Sequence, residues 1–309
     1  MSWLVRVHEA VLGDKQPNAR PMAEHIRNGI IILDKPPGPT SHQVDAWIKQ
    51  ILEIDKCSHG GTLDPRVSGV LVIALQNSTK LMPILLSSPK EYVALMHVHK
   101  EVPERQLRKV LDEFVGRIKQ TPPQKAAVAR RERMREIYFL EVVEIDGRDV
   151  IFRVGCEAGT YIRKLIDDIG KRLGTGAHMQ ELRRVRSGPF TEDRVVKLQK
   201  LMDAIAVWKE SGDETALREI ILPLEMVADA MKCVIIKSTA IPNVLNGAPL
   251  AVGGLARIQD GIEEGDWTAM LSPNGEMMAF GRALMTSEAM AKANGGVAIK
   301  TDRVIARKT

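Results

Sequence analysis

An aspartate set between glycines and a proline is the residue of this chain best placed to do chemistry. In His59-Gly60-Gly61-Thr62-Leu63-Asp64-Pro65-Arg66-Val67-Ser68-Gly69 the glycines let backbone approach a ligand closely or take positive φ, and Pro65 biases Asp64 toward extended geometry. The carboxylate is thereby presented on a loop, and the apolar run Val70 to Leu75 that follows reads as a buried strand anchoring that loop. Taken alone, an Asp-Pro pair is an ordinary turn. The assignment depends on the company Asp64 keeps.

Several residues offer such company. Arg163 ends Glu157-Ala158-Gly159-Thr160-Tyr161-Ile162-Arg163, where Thr160 can cap a helix running to about Leu173. An arginine in the first turn stands against the helix dipole, which points to a specific carboxylate partner. Lys35 and His42 flank the proline-locked segment Asp34-Lys35-Pro36-Pro37-Gly38-Pro39. Basic residues gather at Lys125 to Arg135, at Lys171 and Arg172, and at Arg183, Arg184 and Arg186. Such clusters neutralise phosphates or form a solvated face. His97 and His99 share a strand face, but no carboxylate or cysteine joins them in the sequence, so no metal is expected there. Gly170, Gly174 and Gly176 lack the Gly-Lys-Ser/Thr of a nucleotide loop.

The elements that must hold these residues follow from periodicity. Gly29 to Leu33 reads as a strand, Val44, Trp47, Ile48, Ile51 and Leu52 recur at helical spacing after a Thr40 or Ser41 cap, and Lys90 to His99 alternates as a strand. Ile137 to Ile145 and Val150 to Cys156, joined at Asp146-Gly147, form a hairpin, Met179 to Arg186 is a further strand, and helices fill Val196 to Ile221. The segment to Arg135 reads as a long exposed loop. From Lys232 short apolar runs between glycines mark a small β-rich domain.

Composition bounds the rest. The 309 residues favour two domains; 44% hydrophobic and 27% charged residues describe an ordinary globular chain, and no apolar run reaches the roughly 20 residues of a membrane span. Residues 1 to 20 do not resemble a secretory signal, so a cytoplasmic location is expected. Cys57, Cys156 and Cys233 are odd in number and far apart, arguing against a disulfide framework or zinc site. The net charge of +5 is modest, so clustering matters more than the total.

Together, Leu33-Asp34-Lys35-Pro36, Gly61-Thr62-Leu63-Asp64-Pro65, Lys90-Glu91-Tyr92, Gly159-Thr160-Tyr161-Ile162-Arg163 and Leu182-Arg183-Arg184 resemble the ordered motifs of the TruB-type pseudouridine synthases. Phe114-Val115-Gly116 to Pro123, Ser187-Gly188-Pro189-Phe190 and the last 75 or so residues, which look like a PUA domain, resemble the dyskerin-like branch in its archaeal form. The resemblance implies an α+β fold: residues 1–28 an N-terminal arm packing on the C-terminal domain, 29–228 a catalytic domain with a mixed, largely antiparallel sheet and flanking helices, and 229–309 a β-rich PUA domain.

It further implies isomerisation of uridine in RNA without metal or redox cofactor. Asp64 matches the catalytic aspartate, as nucleophile or base. Tyr92 matches the tyrosine that stacks on the target base and helps remove a proton, and Arg163 the arginine paired with the carboxylate. Tyr161, Ile162 and Leu182 match pocket residues, and Lys35, His42, His59, Arg183, Arg184 and Arg186 are expected to contact RNA. These roles make physical sense: a guanidinium favours the ionised form of an enclosed carboxylate, and aromatic stacking offsets the cost of unstacking a base. Ser58 and Ala129 depart from the family's usual glycine and lysine; the second puts one RNA or partner contact in doubt. The implied partners are a guide RNA with target rRNA or tRNA, and three small proteins: one zinc-containing, one β-barrel and one kink-turn-binding. Two other readings stand beside this one, a stand-alone tRNA synthase and a non-catalytic RNA-binding scaffold.

Overall fold

The computed structural model describes residues 2–7, 17–121 and 131–306. Of the basic segment ending at Arg135, residues 125–130, with Ala129, lie outside the described residues. Two sheets organise the chain. The strands are β1 (Trp3–Val5), β2 (Gly29–Lys35), β3 (Cys57–His59), β4 (Ser68–Leu75), β5 (Lys90–Val98), β6 (Gly116–Gln120), β7 (Arg133–Asp146), β8 (Asp149–Cys156), β9 (Ala177–Ser187), β10 (Phe190–Thr191) and β11 (Leu222–Pro223). The C-terminal part adds β12 (Lys232–Ile236), β13 (Leu250–Ala251), β14 (Leu255–Gln259), β15 (Trp267–Leu271), β16 (Met277–Ala283) and β17 (Val297–Val304).

The larger sheet runs β11-β2-β4-β9-β5-β8-β7-β6, with β3 on β4 and β10 on β9. All its pairings are antiparallel except β4 with β9, where Ser68 meets Arg183 and Gly69 meets Arg184. Side chains of a strand alternate between faces, and β2 and β4 are apolar on both. Ile31, Leu33, Leu71, Ile73 and Leu75 pack beneath the helices Ser41–Leu52, Leu198–Ser211 and Thr215–Ile220. Ile30, Ile32, Val70, Val72 and Ala74 face the other way, onto Cys233, Ala269, Met277 and Phe280 of the smaller sheet and Ile305 just beyond it. The two sheets therefore share one core, and the continuous apolar runs reflect burial on both sides.

The helices Glu104–Asp112 and Ile162–Leu173 cover the far end of the large sheet, over β5, β7 and β8. In the smaller sheet, order β1-β14-β12-β15-β16-β17-β13, the N-terminal residues supply an edge: Trp3 pairs with Gln259, and the Arg6 guanidinium donates to the Met290, Ala291 and Ala293 carbonyls. Two local expectations change. Arg133 and Arg135 lie on β7 and not in a loop, because β6 pairs with them. The Thr160 hydroxyl does not cap the helix; it donates to the Glu157 carbonyl at 2.7 Å, and the helix starts after Tyr161.

Candidate active site

The Asp64 loop joins β3 to β4, and buried polar side chains fix its backbone along its length. Lys35, at the end of β2 and wholly buried, donates from Nζ to the carbonyls of Pro36 (2.9 Å), Pro65 (3.2 Å) and Val67 (2.9 Å). Ser41, also sealed from solvent, accepts from the Leu63 amide at 2.9 Å and donates to its carbonyl at 3.2 Å. Arg184 donates from Nε to Val70 O at 2.7 Å and from Nη2 to Gly61 O at 3.0 Å. Leu63 and Val67 are buried on either side of the aspartate. Gly69 has φ +102, and a Cβ there would lie 2.2 Å from the Arg184 carbonyl, so only glycine lets β4 approach β9 this closely.

Asp64 itself projects outward. Its carboxylate accepts from Arg163 Nη2 at 2.7 Å, across 99 residues of sequence, and both side chains are more than half exposed. The expected pair forms, but the carboxylate is not enclosed in the free chain. Beside it Tyr92 lies opposite Arg184 on β9, at a register shift between Glu91 and Tyr92; a bulge of this kind re-aims a side chain. Its ring packs with Met179 and Leu182 against the apolar core. Burial raises the pKa of the Tyr92 phenol, against the pull of the Arg184 guanidinium beside it. The ring is thus a neutral phenol at neutral pH, suited to stacking and to hydrogen bonding. A cleft of about 560 Å³ opens next to the pair, lined by Arg66, Arg163, Lys164, Asp167, His178 and Leu182 among others.

Tyr161 stands at the start of the helix that carries Arg163. Gln120, 2% exposed, grips its backbone from both sides: Oε1 accepts from the Tyr161 amide at 3.0 Å and Nε2 donates to its carbonyl at 3.2 Å. Nothing in the sequence near Gln120 signals this. Ser41 was visible only as a possible cap. The cap is Thr40, which forms a reciprocal capping box with Gln43, leaving Ser41 free for the loop.

Several expected contacts are corrected. Lys35, Arg184 and His59 cannot face RNA as placed, because all three are buried and their donors are engaged within the protein. Arg183 is partly exposed and paired with Asp34 and Glu192; Arg186 is paired with Glu91. His42 remains exposed. Ile162, 3% exposed, belongs to the core and offers no wall to a substrate. The cysteines are free thiols, and burial pushes Cys57 and Cys156 up to about 12 and Cys233 to about 11, so none is a nucleophile. The sheet also brings to His97 what its neighbours in sequence lacked: His178 and Asp149 sit directly across from it on β9 and β8.

Comparison with known proteins agrees with this architecture. Residues 49–104 and 97–162 match the N-terminal domain of the TruB family of pseudouridylate synthases, 163–228 match the tRNA pseudouridylate synthase B C-terminal domain, 232–305 match the PUA domain, and 10–45 match the DKCLD (NUC011) domain. The chain is 52% identical to a protein of Pyrococcus furiosus named "Probable tRNA pseudouridine synthase B", over 93% of this chain and 85% of the relative. The chain belongs to the TruB family of pseudouridine synthases. It is therefore an RNA isomerase with a C-terminal PUA domain. A similarly named protein of Methanothermobacter thermautotrophicus is 49% identical over 93% of this chain and 89% of the relative. Among solved structures, a Cbf5–Nop10–Gar1 complex contains a chain with TM-score 0.93 and 48% identity, covering 99% of this chain and 94% of that one. An H/ACA ribonucleoprotein bound to a substrate RNA containing 2′-deoxyuridine gives TM-score 0.91 and 47% identity, with 99% and 94% covered.

Proposed function

We propose that this chain is the catalytic subunit of an H/ACA guide ribonucleoprotein and converts guide-selected uridines of rRNA, and of tRNA, to pseudouridine. The carrying observation is the Asp64–Arg163 pair, assembled from distant parts of the chain on a loop whose backbone is fixed by Lys35, Ser41 and Arg184. The uridine leaves its stack and enters beside Asp64. Entry of the base excludes water from the Asp64 carboxylate, and Arg163 then stabilises its charge where solvent no longer does. Asp64 acts as nucleophile or as a base at the sugar, the glycosidic bond to N1 breaks, the uracil turns, and the bond reforms through carbon 5, which loses its proton while N1 gains one. Tyr92 stacks on the base, and its neutral phenol argues for positioning over proton abstraction. Leu182 and Tyr161 supply walls.

The partners in this reading are a guide RNA, its target RNA and three small proteins, one zinc-containing, one β-barrel and one kink-turn-binding and recruited through the guide. High overall similarity to the chain in the Cbf5–Nop10–Gar1 complex supports this. The relatives' names favour a second reading, direct action on tRNA. Purified protein assayed on tRNA and on a guided rRNA target, with and without guide, separates the two. Activity on tRNA with no response to a guide would sink the first. Asp64→Asn should lower product formation by at least about a thousandfold, near 4 kcal/mol of transition-state stabilisation, with RNA affinity within a few fold. Unchanged turnover removes Asp64 from the mechanism.

A further inference from the structure

Beside the active-site loop the structure gathers three side chains that the isomerisation does not use. His42 and Asp45 lie three residues apart on one face of the helix Ser41–Leu52, and His59 ends β3 opposite them. One ligand atom from each lies within 4.8 Å of the others, the sole such group of three among the described residues. We propose that His42, Asp45 and His59 bind a divalent transition-metal ion, Zn²⁺ by ligand type, as an accessory site flanking the loop that carries Asp64.

Four observations converge. Asp45 is 9% exposed, and its Oδ1 is buried with no hydrogen-bond partner; such an atom in a folded protein calls for an explanation, and a cation supplies one. His59 Nδ1 and Asp45 Oδ2 face each other at a hydrogen-bond distance of 2.7 Å, and parting them to about 3.3 Å sets both on one tetrahedral ion. The rings of His42 and His59 meet edge to face with centroids 5.0 Å apart, and two imidazoles bound to one ion at about 2.0–2.1 Å hold their centroids about 5 Å apart. The other nitrogen of His59, Nε2, lies 3.1 Å from Thr62 Oγ1, the outer-shell partner that a ligating histidine usually has.

With the His59 hydrogen on Nε2, Nδ1 is free for the ion and the Thr62 hydroxyl accepts from Nε2. The start of a helix disfavours a cation, and the Asp45 carboxylate compensates that field. Exposed His42 provides the entry side and leaves room for water as a fourth ligand. Because Thr62 precedes Asp64 by two residues, an occupied site stiffens the approach to the catalytic carboxylate without touching substrate. The proposal does not depend on the guide-directed reading.

The test titrates the tag-free, full-length, chelator-treated protein with Co²⁺ alone, read by its visible absorption, and then with Zn²⁺ against a competing chelator. One ion per chain is expected. Asp45→Asn and His42→Ala should each weaken binding by at least about tenfold, while His99→Ala, in the separate cluster of His97, His99 and His178, leaves it unchanged. His42 is exposed, so its variant keeps the test decisive if Asp45→Asn fails to fold, which thermal unfolding in chelator reveals. Absence of stoichiometric binding in the parent protein overturns the proposal and leaves Asp45 and His59 a buried hydrogen-bonded pair. So does equal binding by parent and both variants, or loss confined to His99→Ala.

Discussion

On the inner side of the Asp64 loop, Lys35 and Arg184 are sealed from solvent and direct their donors to backbone carbonyls. On the outer side Arg163 stands in solvent with a single carboxylate partner. The residues are chemically alike and their tasks are not. A buried cation satisfied by carbonyls costs several kcal/mol if only one side of the arrangement is removed, whereas an exposed ion pair contributes about 0–1 kcal/mol. Rigidity therefore resides in the inner side, and the solvent-facing charges in the outer. The loop can hold Asp64 where Arg163 reaches it without either being immobilised by its own burial.

The strongest way to break this contrast is Lys35→Met. It leaves the carbonyls of Pro65 and Val67 without their buried donor and should cost roughly 2–4 kcal/mol in urea unfolding, with activity falling as the loop loosens. A loss below about 0.5 kcal/mol would show that the inner contacts do not hold the loop.

Lys90 sharpens the same point through pH. Its ammonium, 5% exposed, donates to the carbonyls of Leu85, Leu86 and Ser88, and burial, with Arg184 nearby, lowers its pKa to about 7. The folded state then binds fewer protons than the unfolded state between about pH 7 and the ordinary lysine value of 10.5. Its linkage makes stability rise with pH through that window, by at most about 1.4 kcal/mol per pH unit. Above about pH 9 the buried thiols act in the opposite sense, because their raised pKa values let the unfolded state lose protons first. The comparison belongs between pH 7 and 9, where the parent protein should gain stability more steeply than Lys90→Met in denaturant titrations. Parallel slopes would place the Lys90 charge outside the balance.

How much of this was legible in the sequence follows the same inner and outer division. Asp64, Tyr92 and Arg163 could be singled out because they stand in local motifs, individual strands and the β-rich end could be read from periodicity, and the mixed sheet was implied by the family resemblance. Lys35 and Arg184 were misread as RNA contacts, because a basic side chain in a motif looks the same whether it points to phosphate or to carbonyls of a neighbouring strand. Only the β4–β9 pairing reveals which. Gln120 and Ser41 were missed for a related reason: each grips backbone 41 or 22 residues away, and backbone carries no sequence signature. Asp45 and His59 meet across 14 residues by packing of a helix on β3, which neither segment encodes alone.

On the outer side the expected stability effects shrink. Arg163→Gln should change unfolding free energy by less than about 0.5 kcal/mol yet lower turnover by about a hundredfold, near 2.7 kcal/mol, since its interaction gains strength only when the base excludes water. Chemical denaturation and single-turnover assays on one preparation measure both. A stability loss comparable to that of Lys35→Met would erase the distinction between the two sides.

The smallest effect is expected at Arg186, whose guanidinium is held by Glu91 at 3.2 Å and by the Gly188 carbonyl at 2.8 Å. Glu91 also pairs with Arg153 at 2.5 Å, so a phosphate approaching Arg186 must compete with an anion already shared by two arginines. Arg186→Gln should reduce the slope of log affinity for single-stranded RNA against log salt by no more than about 0.7, the value for one phosphate contact. Arg184→Gln, by contrast, should destabilise the fold and leave the slope unchanged, because its buried guanidinium donates to the Val70 and Gly61 carbonyls. Measuring both slopes by filter binding over a range of KCl decides the matter: a change at Arg184 equal to that at Arg186 would mean that the inner arginine comes out to meet RNA.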